Sequence, residues 1–573
     1  MMLKKVAIFL VVSVLMGLVV ACAGIQAPSV TVVETVVVEK EVEKEVIVTV
    51  EVPAEAEMAA MDDACTFNAY RMGWIMDYAD ANNIVNEVFH PDSPFQYTSW
   101  DDEEFRSLVD QALVETDPAA RGELWRQAEN ILINDQTALV PIYHYDRTGL
   151  ANPEWTIEYP PFGAPHFMKW TGPRDTMVYS LGTEPPSLDV NLATDTTSSS
   201  IITQLMEGLY RYDVEGNIEP AGATSYEVSD DGTVFTIKLR EDAVWSDGEP
   251  VVAQHYVDGI TRLLNPETAA EYAYVMYYID GAEAFNTGES DDPSLLGVKA
   301  LDDYTLEITL NGPQSFFDSL LAFSTTFPVR LDVIEAHGDQ WTEPGNFVGN
   351  GPYNLVEWTH EDSLAIEANP LYHDADQVSI QRVEFPIITD KATSLAAFEN
   401  GEVDIASDSA GYPNEELPRI LEDPVLSEAF LRLPRPGVYY IGLNTEAEHT
   451  NNLKFRQALS HALDKRAILD NVGNWPWRLE AYGVIAPELA AYQGDDIGFQ
   501  YDPDQATALL EEYMAEAGIE SPEDIVIELW YNRGNEEIVQ AIAAQWSGNL
   551  GIFVNQINME WPVYLSTLDE CNN

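Results

Sequence analysis

From Phe67 onward, short apolar runs rich in β-branched residues alternate with longer stretches whose apolar positions recur every three or four residues. That is the pattern of strands alternating with amphipathic helices. Thr116-Asp117-Pro118 predicts a helix start with Pro118 in the first turn, and places Leu124, Ala128, Ile131 and Leu132 on the inward face. Asn452 opens another helix with Phe455, Ala458, Leu459, Ala462 and Leu463 along one side. Asp502-Pro503 opens a third over Ala506, Leu509 and Leu510, closed near Gly518, and a strand from Ile525 to Trp530 and a helix from Ile538 to Trp546 follow. These stripes read as core rather than chemistry, and their alternation predicts α/β lobes.

The front of the chain has a different pattern. Lys4 and Lys5 precede an apolar run from Val6 to Val20, too short for a comfortable membrane span and suited to a secretory signal. It ends in Leu18-Val-Val-Ala-Cys22, which resembles a bacterial lipoprotein signal whose cysteine becomes the lipidated first residue of the mature chain. The plainer alternative is an ordinary signal peptide with an incidental Cys22. Residues 23–61 run through Val-Glu-Lys repeats between Pro28 and Pro53 and read as a stalk. These features place the folded part in the cell envelope, at the outer face of the cytoplasmic membrane or in the periplasm, with the lipid as its membrane contact.

At 573 residues the chain exceeds one compact core, and its 46% hydrophobic content is that of a globular protein. With 97 acidic against 28 basic residues the net charge is −69, so the cationic patches that nucleic-acid binding needs are not there. The nine histidines form no His-Glu-x-x-His pair, no Gly-x-Ser-x-Gly elbow occurs, and the cysteines have no close histidine partners. The expectation from these absences is that the chain is not an enzyme and has no cofactor, metal or nucleic-acid partner; it is expected to act as a monomer.

One stretch carries a family signature: Asp231-Gly-Thr-Val-Phe235 followed by Trp245-Ser-Asp-Gly-Glu-Pro250. Further blocks keep its order and spacing: Glu184-Pro-Pro-Ser-Leu-Asp189, Glu207-Gly-Leu-Tyr210, Gly349-Asn-Gly-Pro-Tyr353, Asn400-Gly-Glu-Val-Asp404, and the run from Phe455 to Lys465. Together they resemble the family 5 (peptide/nickel-type) solute-binding proteins of ABC importers over most of residues 175–565. The resemblance implies an α/β, two-lobed clamshell of the type II periplasmic-binding-protein kind with an extra subdomain. It also implies a short peptide or other small solute as ligand and an ABC permease as partner; oligosaccharides and nickel complexes are alternatives on the same scaffold, and a secreted hydrolase is a remoter one.

The segments stand in permuted order. Residues 62–140 resemble the carboxyl-terminal part of the ligand-closing lobe, 141–210 return into the first lobe and supply the usual amino-terminal start, 211–310 form the extra subdomain, 311–436 finish the first lobe, and 437–573 begin the closing lobe. A circular permutation and a relic of truncated tandem genes both fit this order. Cys65 and Cys571 flank the new break, and a disulfide between them would staple it at roughly 2–4 kcal/mol.

By the same resemblance Asp77, just after Gly73-Trp74-Ile75-Met76, pairs with a ligand's ammonium, with Asp80 as the alternative anchor. Gly73 and Ile75 offer backbone groups in the manner of an added strand, Trp74 walls a side-chain pocket, and Arg71 meets the ligand carboxylate. On the facing lobe Thr194 and Thr196 contact ligand backbone and Tyr272 covers it. The family often has Glu where Thr194 stands, so this side carries less negative charge here.

Overall fold

In a computed structural model of the protein, residues 67–407, 410–494 and 496–571 are described. The expected signal, Cys22, the stalk and Cys65 lie outside them.

The expected helices form where their caps stand. Asp117 accepts from Ala120 N at 2.8 Å to start the helix Pro118–Asn130, Asn452 caps Leu453–His461, and Asp502 caps Pro503–Ala517, which Gly518 ends at φ 72°. One inward face departs from the apolar stripe. On Pro118–Asn130 the buried residues are Arg121, Gly122, Trp125, Ala128 and Glu129, while Leu124 is half-buried. Arg121 is tolerated because it pairs with Asp80, and Glu129 because it accepts from Val484 N at 2.7 Å and Ile485 N at 2.9 Å.

A ten-stranded sheet runs through the fold. Its strands in chain order are β1 (Ala69–Ile75), β2 (Leu139–Ala151), β3 (Thr176–Ser180), β4 (Tyr353–Thr359), β5 (Ser363–Ala368), β6 (Arg382–Pro386), β7 (Ile405–Ala406), β8 (Phe430–Leu443), β9 (Val526–Asn532) and β10 (Phe553–Met559). In space they follow the order β4-β5-β6-β3-β7-β2-β8-β1-β9-β10. The left end belongs to one lobe, whose core includes Trp170, Tyr179, Trp245, Ile366 and Phe385. A separate four-stranded sheet (Ala223–Val228, Val234–Leu239, Thr305–Thr309 and Val298–Asp302) packs into that same core.

The right end belongs to the other lobe and is covered on both faces. Tyr70, Met72, Val438, Tyr440 and Trp530 point into one core, and Ala69, Tyr439, Ile441, Ile527 and Leu529 into another, as the two-residue period of a strand requires. The strand β1 from the front of the chain lies between two strands from its tail. It pairs antiparallel with β8 from Ala69↔Leu443 to Ile75↔Gly437, and parallel with β9 at Ala69 and Tyr70. Tyr564 Oη donates to Arg71 O at 2.6 Å and Tyr97 Oη to Asp569 Oδ1 at 2.8 Å, tying the last helix, Trp561–Cys571, to the same segment. Cys571 ends that helix, half-buried.

The long strands β2 and β8 join the lobes. Their ladder holds from Phe430↔Leu150 to Pro434↔Asp146 and resumes at Val438↔His144, with register shifts between Pro434 and Val438 and between Tyr439 and Tyr440. A break of this kind in otherwise continuous pairing bends and twists the strands locally.

Candidate functional site

The odd-numbered positions of β1 share one face, and that face changes character along its length. Around Arg71 and Gly73 it is covered by Tyr145. Arg71 Nη2 donates to Tyr145 Oη at 3.1 Å and Nη1 to Asn532 Oδ1 at 3.0 Å, and the guanidinium lies 4.3 Å from the Tyr439 ring. At Gly73 an added Cβ would lie 2.2 Å from Tyr145 Oη, so only glycine lets that ring sit there. From Ile75 onward the face opens into a cavity of about 180 Å³. Ile75, Met76 and Asp77 line one side, and Thr194, Thr196 and Tyr272 the other.

Asp77 is held across the gap between lobes. Its Oδ1 accepts from Tyr272 Oη at 3.1 Å, and its Oδ2 from Asn83 Nδ2 at 3.3 Å; Asn83 Oδ1 in turn accepts from Asp77 N at 3.0 Å and Trp74 Nε1 at 2.9 Å. Burial pushes the Asp77 carboxyl up to about 6, against the opposing pull of the hydrogen bonds from Asn83 and Tyr272. Beside it Glu87 accepts from Tyr78 Oη at 2.6 Å, Asn83 Nδ2 at 2.8 Å and Tyr278 Oη at 3.0 Å, and burial raises it to about 7. Tyr278 stands on the far side with Tyr272, so two tyrosine–carboxylate contacts bridge the lobes. The Tyr78 ring stacks on Phe316 at 5.8 Å and adds an apolar contact to the same seam.

The profile of "Bacterial extracellular solute-binding proteins, family 5 Middle" matches residues 217–572. The chain belongs to this family. The oligopeptide-binding protein OppA of Bacillus subtilis (strain 168) is 35% identical over 404 residues, covering 69% of this chain and 73% of that protein. Among solved structures, the murein tripeptide binding protein MppA of Escherichia coli superposes with a TM-score of 0.59 at 30% identity, covering 69% of this chain and 77% of that one. Haemophilus influenzae OppA in complex with the peptide RPPGFSPFR superposes with a TM-score of 0.54 at 28% identity, covering 69% and 78%. The two-lobed type II periplasmic binding fold of this family 5 protein follows from these likenesses.

Of the residues singled out in the sequence, Ile75, Asp77, Thr194, Thr196 and Tyr272 meet at the interlobe cavity, while Arg71, Gly73 and Trp74 do not line it. Arg71 stays inside its lobe with Asn532, Tyr145 and Tyr439. Trp74 points to the opposite face, where its ring packs 5.2 Å from Phe95. Asp80, the alternative anchor, is locked by a forked contact with Arg121, with Nη2 to Oδ1 at 2.8 Å, and both side chains are largely buried. Asp195 lines the cavity, but its carboxylate caps the helix Thr196–Leu205 by accepting from Thr197 N and Ser198 N, each at 2.9 Å. Sequence reasoning missed Arg147 and Arg435, which also line the cavity. Neither stands in a recognisable motif; what brings them together is the pairing of β2 with β8, and that appears only in three dimensions. Among the described residues no group of histidine, cysteine and carboxylate side chains is placed to hold a metal ion.

Proposed function

We propose that this family 5 protein captures short peptides between its two lobes, outside the cytoplasm, and hands them to an ABC importer in the membrane. One observation carries the reading: a carboxylate held at the mouth of an interlobe cavity, with its burial cost offset by only two hydrogen bonds, is a seat for an ammonium group. A ligand's amine there supplies the opposite charge that a buried carboxylate needs. The names of the relatives support peptides as the solute class. So does β1, whose residues beyond Tyr70 have no pairing with β9 among the described strands, leaving an edge against which an extended peptide can lie.

In this reading Asp77 holds the amine, Gly73 and Ile75 supply backbone groups, and Thr194, Thr196 and Tyr272 close over the ligand. The front segment and the tail together rebuild one closing lobe, and a Cys65–Cys571 disulfide staples the ends. Lipid on Cys22 tethers a monomer that binds without turnover. Native mass spectrometry of the gently purified protein tests this: a co-purified peptide mixture is expected. Retention of a neutral sugar instead, or product release from a substrate panel, would overturn it.

A further inference from the structure

The strands that join the lobes are also covered on the side away from the cleft. Arg147 on β2 lines the interlobe cavity, and Asp146 beside it points, by strand alternation, to the opposite face. There residues 473–479, Gly-Asn-Trp-Pro-Trp-Arg-Leu, cross behind β2 and β8 as a strap. The strap is rooted in the closing lobe. Arg466, on the helix Lys465–Asn471, donates from Nη1 to Arg478 O and from Nη2 to Trp475 O, each at 2.9 Å, and His144 N donates to Leu479 O at 3.0 Å. Its tip reaches the first lobe. Trp477 Nε1 donates to Asp146 Oδ2 at 2.6 Å, Arg432 Nη2 donates to Trp477 O at 3.0 Å, and the Trp477 ring meets Phe430 edge-on at 5.3 Å. Phe430 and Arg432 precede the slip in the β2–β8 ladder, and Phe430 packs with Trp477 against a small core that includes Leu150, Leu395, Ala406 and Leu417. Trp477 is therefore a closing-lobe side chain seated on the first lobe, across the joining strands from the ligand cavity. Beside it a second cavity of about 200 Å³ is lined by Arg432, Leu433 and Pro434 of β8 and by Leu479, Pro487 and Glu488 of the closing lobe.

We propose that this strap is a prop behind the hinge, which sets how readily the cleft opens and so how long a captured ligand stays; the second half rests on the reading that ligand is held between the lobes. The geometry of a hinge decides the sign. When two lobes turn about strands that lie between them, opening the cleft in front brings the lobes together behind. Here the front is shut, with Tyr272 and Tyr278 of one lobe donating to Asp77 and Glu87 of the other, and the back is filled by the Trp477 ring. Packed side chains do not compress, so opening must push Trp477 off Phe430 or pull its indole from Asp146. Either raises the free energy of the open state. Asp146 cannot follow the ring, because the carboxylate is largely buried and also accepts from Arg478 Nε at 2.8 Å. The second cavity leaves the prop incomplete. Leu479, 50% exposed at its edge, is a position where added bulk would fill that space and hold the lobes shut more firmly.

The test compares wild type, Trp477→Ala and Leu479→Trp by small-angle X-ray scattering without ligand and by stopped-flow kinetics with trialanine. Ligand-free Trp477→Ala should have the larger radius of gyration. It should release trialanine on the order of 10-fold faster than wild type, with little change in the association rate. Leu479→Trp should release it on the order of 3-fold more slowly. A Trp477 that serves only stability would lower the thermal midpoint in Trp477→Ala and leave the release rate at the wild-type value, and that result would overturn the inference. So would a radius of gyration in Trp477→Ala equal to or below that of wild type, or unchanged or faster release from Leu479→Trp. Should Trp477→Ala fail to fold, Leu479→Trp decides alone. A wild type that binds no trialanine defeats the peptide reading, while the ligand-free scattering still decides whether the strap props the lobes.

Discussion

Asn in place of Asp77 should make the empty protein more stable and its binding worse. The carboxyl rises from its ordinary 3.8 to about 6 on folding, which corresponds to roughly 3 kcal/mol against the ionised form in the native state. Asn removes that cost. It keeps an acceptor for Tyr272 but loses the 3.3 Å hydrogen bond from Asn83, worth about 1 kcal/mol. The net expectation at pH 7.5 is a gain of about 2 kcal/mol. Because the folded pKa lies above the unfolded one, the native state holds the extra proton. The cost of Asp77 is therefore absent well below pH 4 and complete above about 6. The advantage of Asp77→Asn should thus grow by roughly 1 kcal/mol between pH 5 and pH 7.5. Urea unfolding of both proteins at the two pH values, followed by tryptophan fluorescence, measures it. The same variant should lose at least about 30-fold in affinity for a free-amine peptide, since truncating one partner of a buried charge pair costs 2–5 kcal/mol. A variant less stable than wild type at pH 7.5, or a difference that does not move with pH, would refute the claim that the carboxylate is held at a cost.

Further outcomes follow from the same geometry. Wild-type affinity for a free-amine peptide should fall as pH drops below about 6, approaching tenfold per pH unit, because the ammonium needs an ionised Asp77; titrations from pH 5 to 8 would show it, and a flat profile would count against it. Tyr272→Phe removes a donor to that carboxylate, so the midpoint of the same profile should move to higher pH. Gly73→Ala should destabilise by about 1–3 kcal/mol, because its methyl group cannot share space with Tyr145 Oη; an unchanged urea midpoint would contradict the packing described. Arg121→Met strands Asp80 in a largely buried site and should cost about 3–5 kcal/mol in the same assay.

Much of this was legible before any coordinates. Capping residues at Asp117, Asn452 and Asp502 announced their helices because a side chain that accepts from the first-turn N–H groups acts locally. The anchor region was legible through its resemblance, since Asp77 follows β1 immediately and needs only that strand to be placed. Other features depend on distant partners. Arg121 and Glu129 break the apolar stripe of their helix because Asp80 and the Val484–Ile485 backbone meet them in space, and neither partner is nearby in sequence. Arg71 shares a face with Asp77, yet Tyr145, seventy-four residues away, takes up that face first. Arg147 and Arg435 come to the cleft on two paired strands almost three hundred residues apart, Arg147 opposite Leu433 and Arg435 where the ladder slips, a placement that no local pattern encodes.

The most direct test is a crystal structure of the protein grown with trialanine. The peptide should lie between the lobes with its ammonium hydrogen-bonded to an Asp77 carboxylate oxygen, and β1 should remain seated between β8 and β9. A peptide whose amine sits elsewhere, or a front segment docked away from the tail strands, would contradict the account.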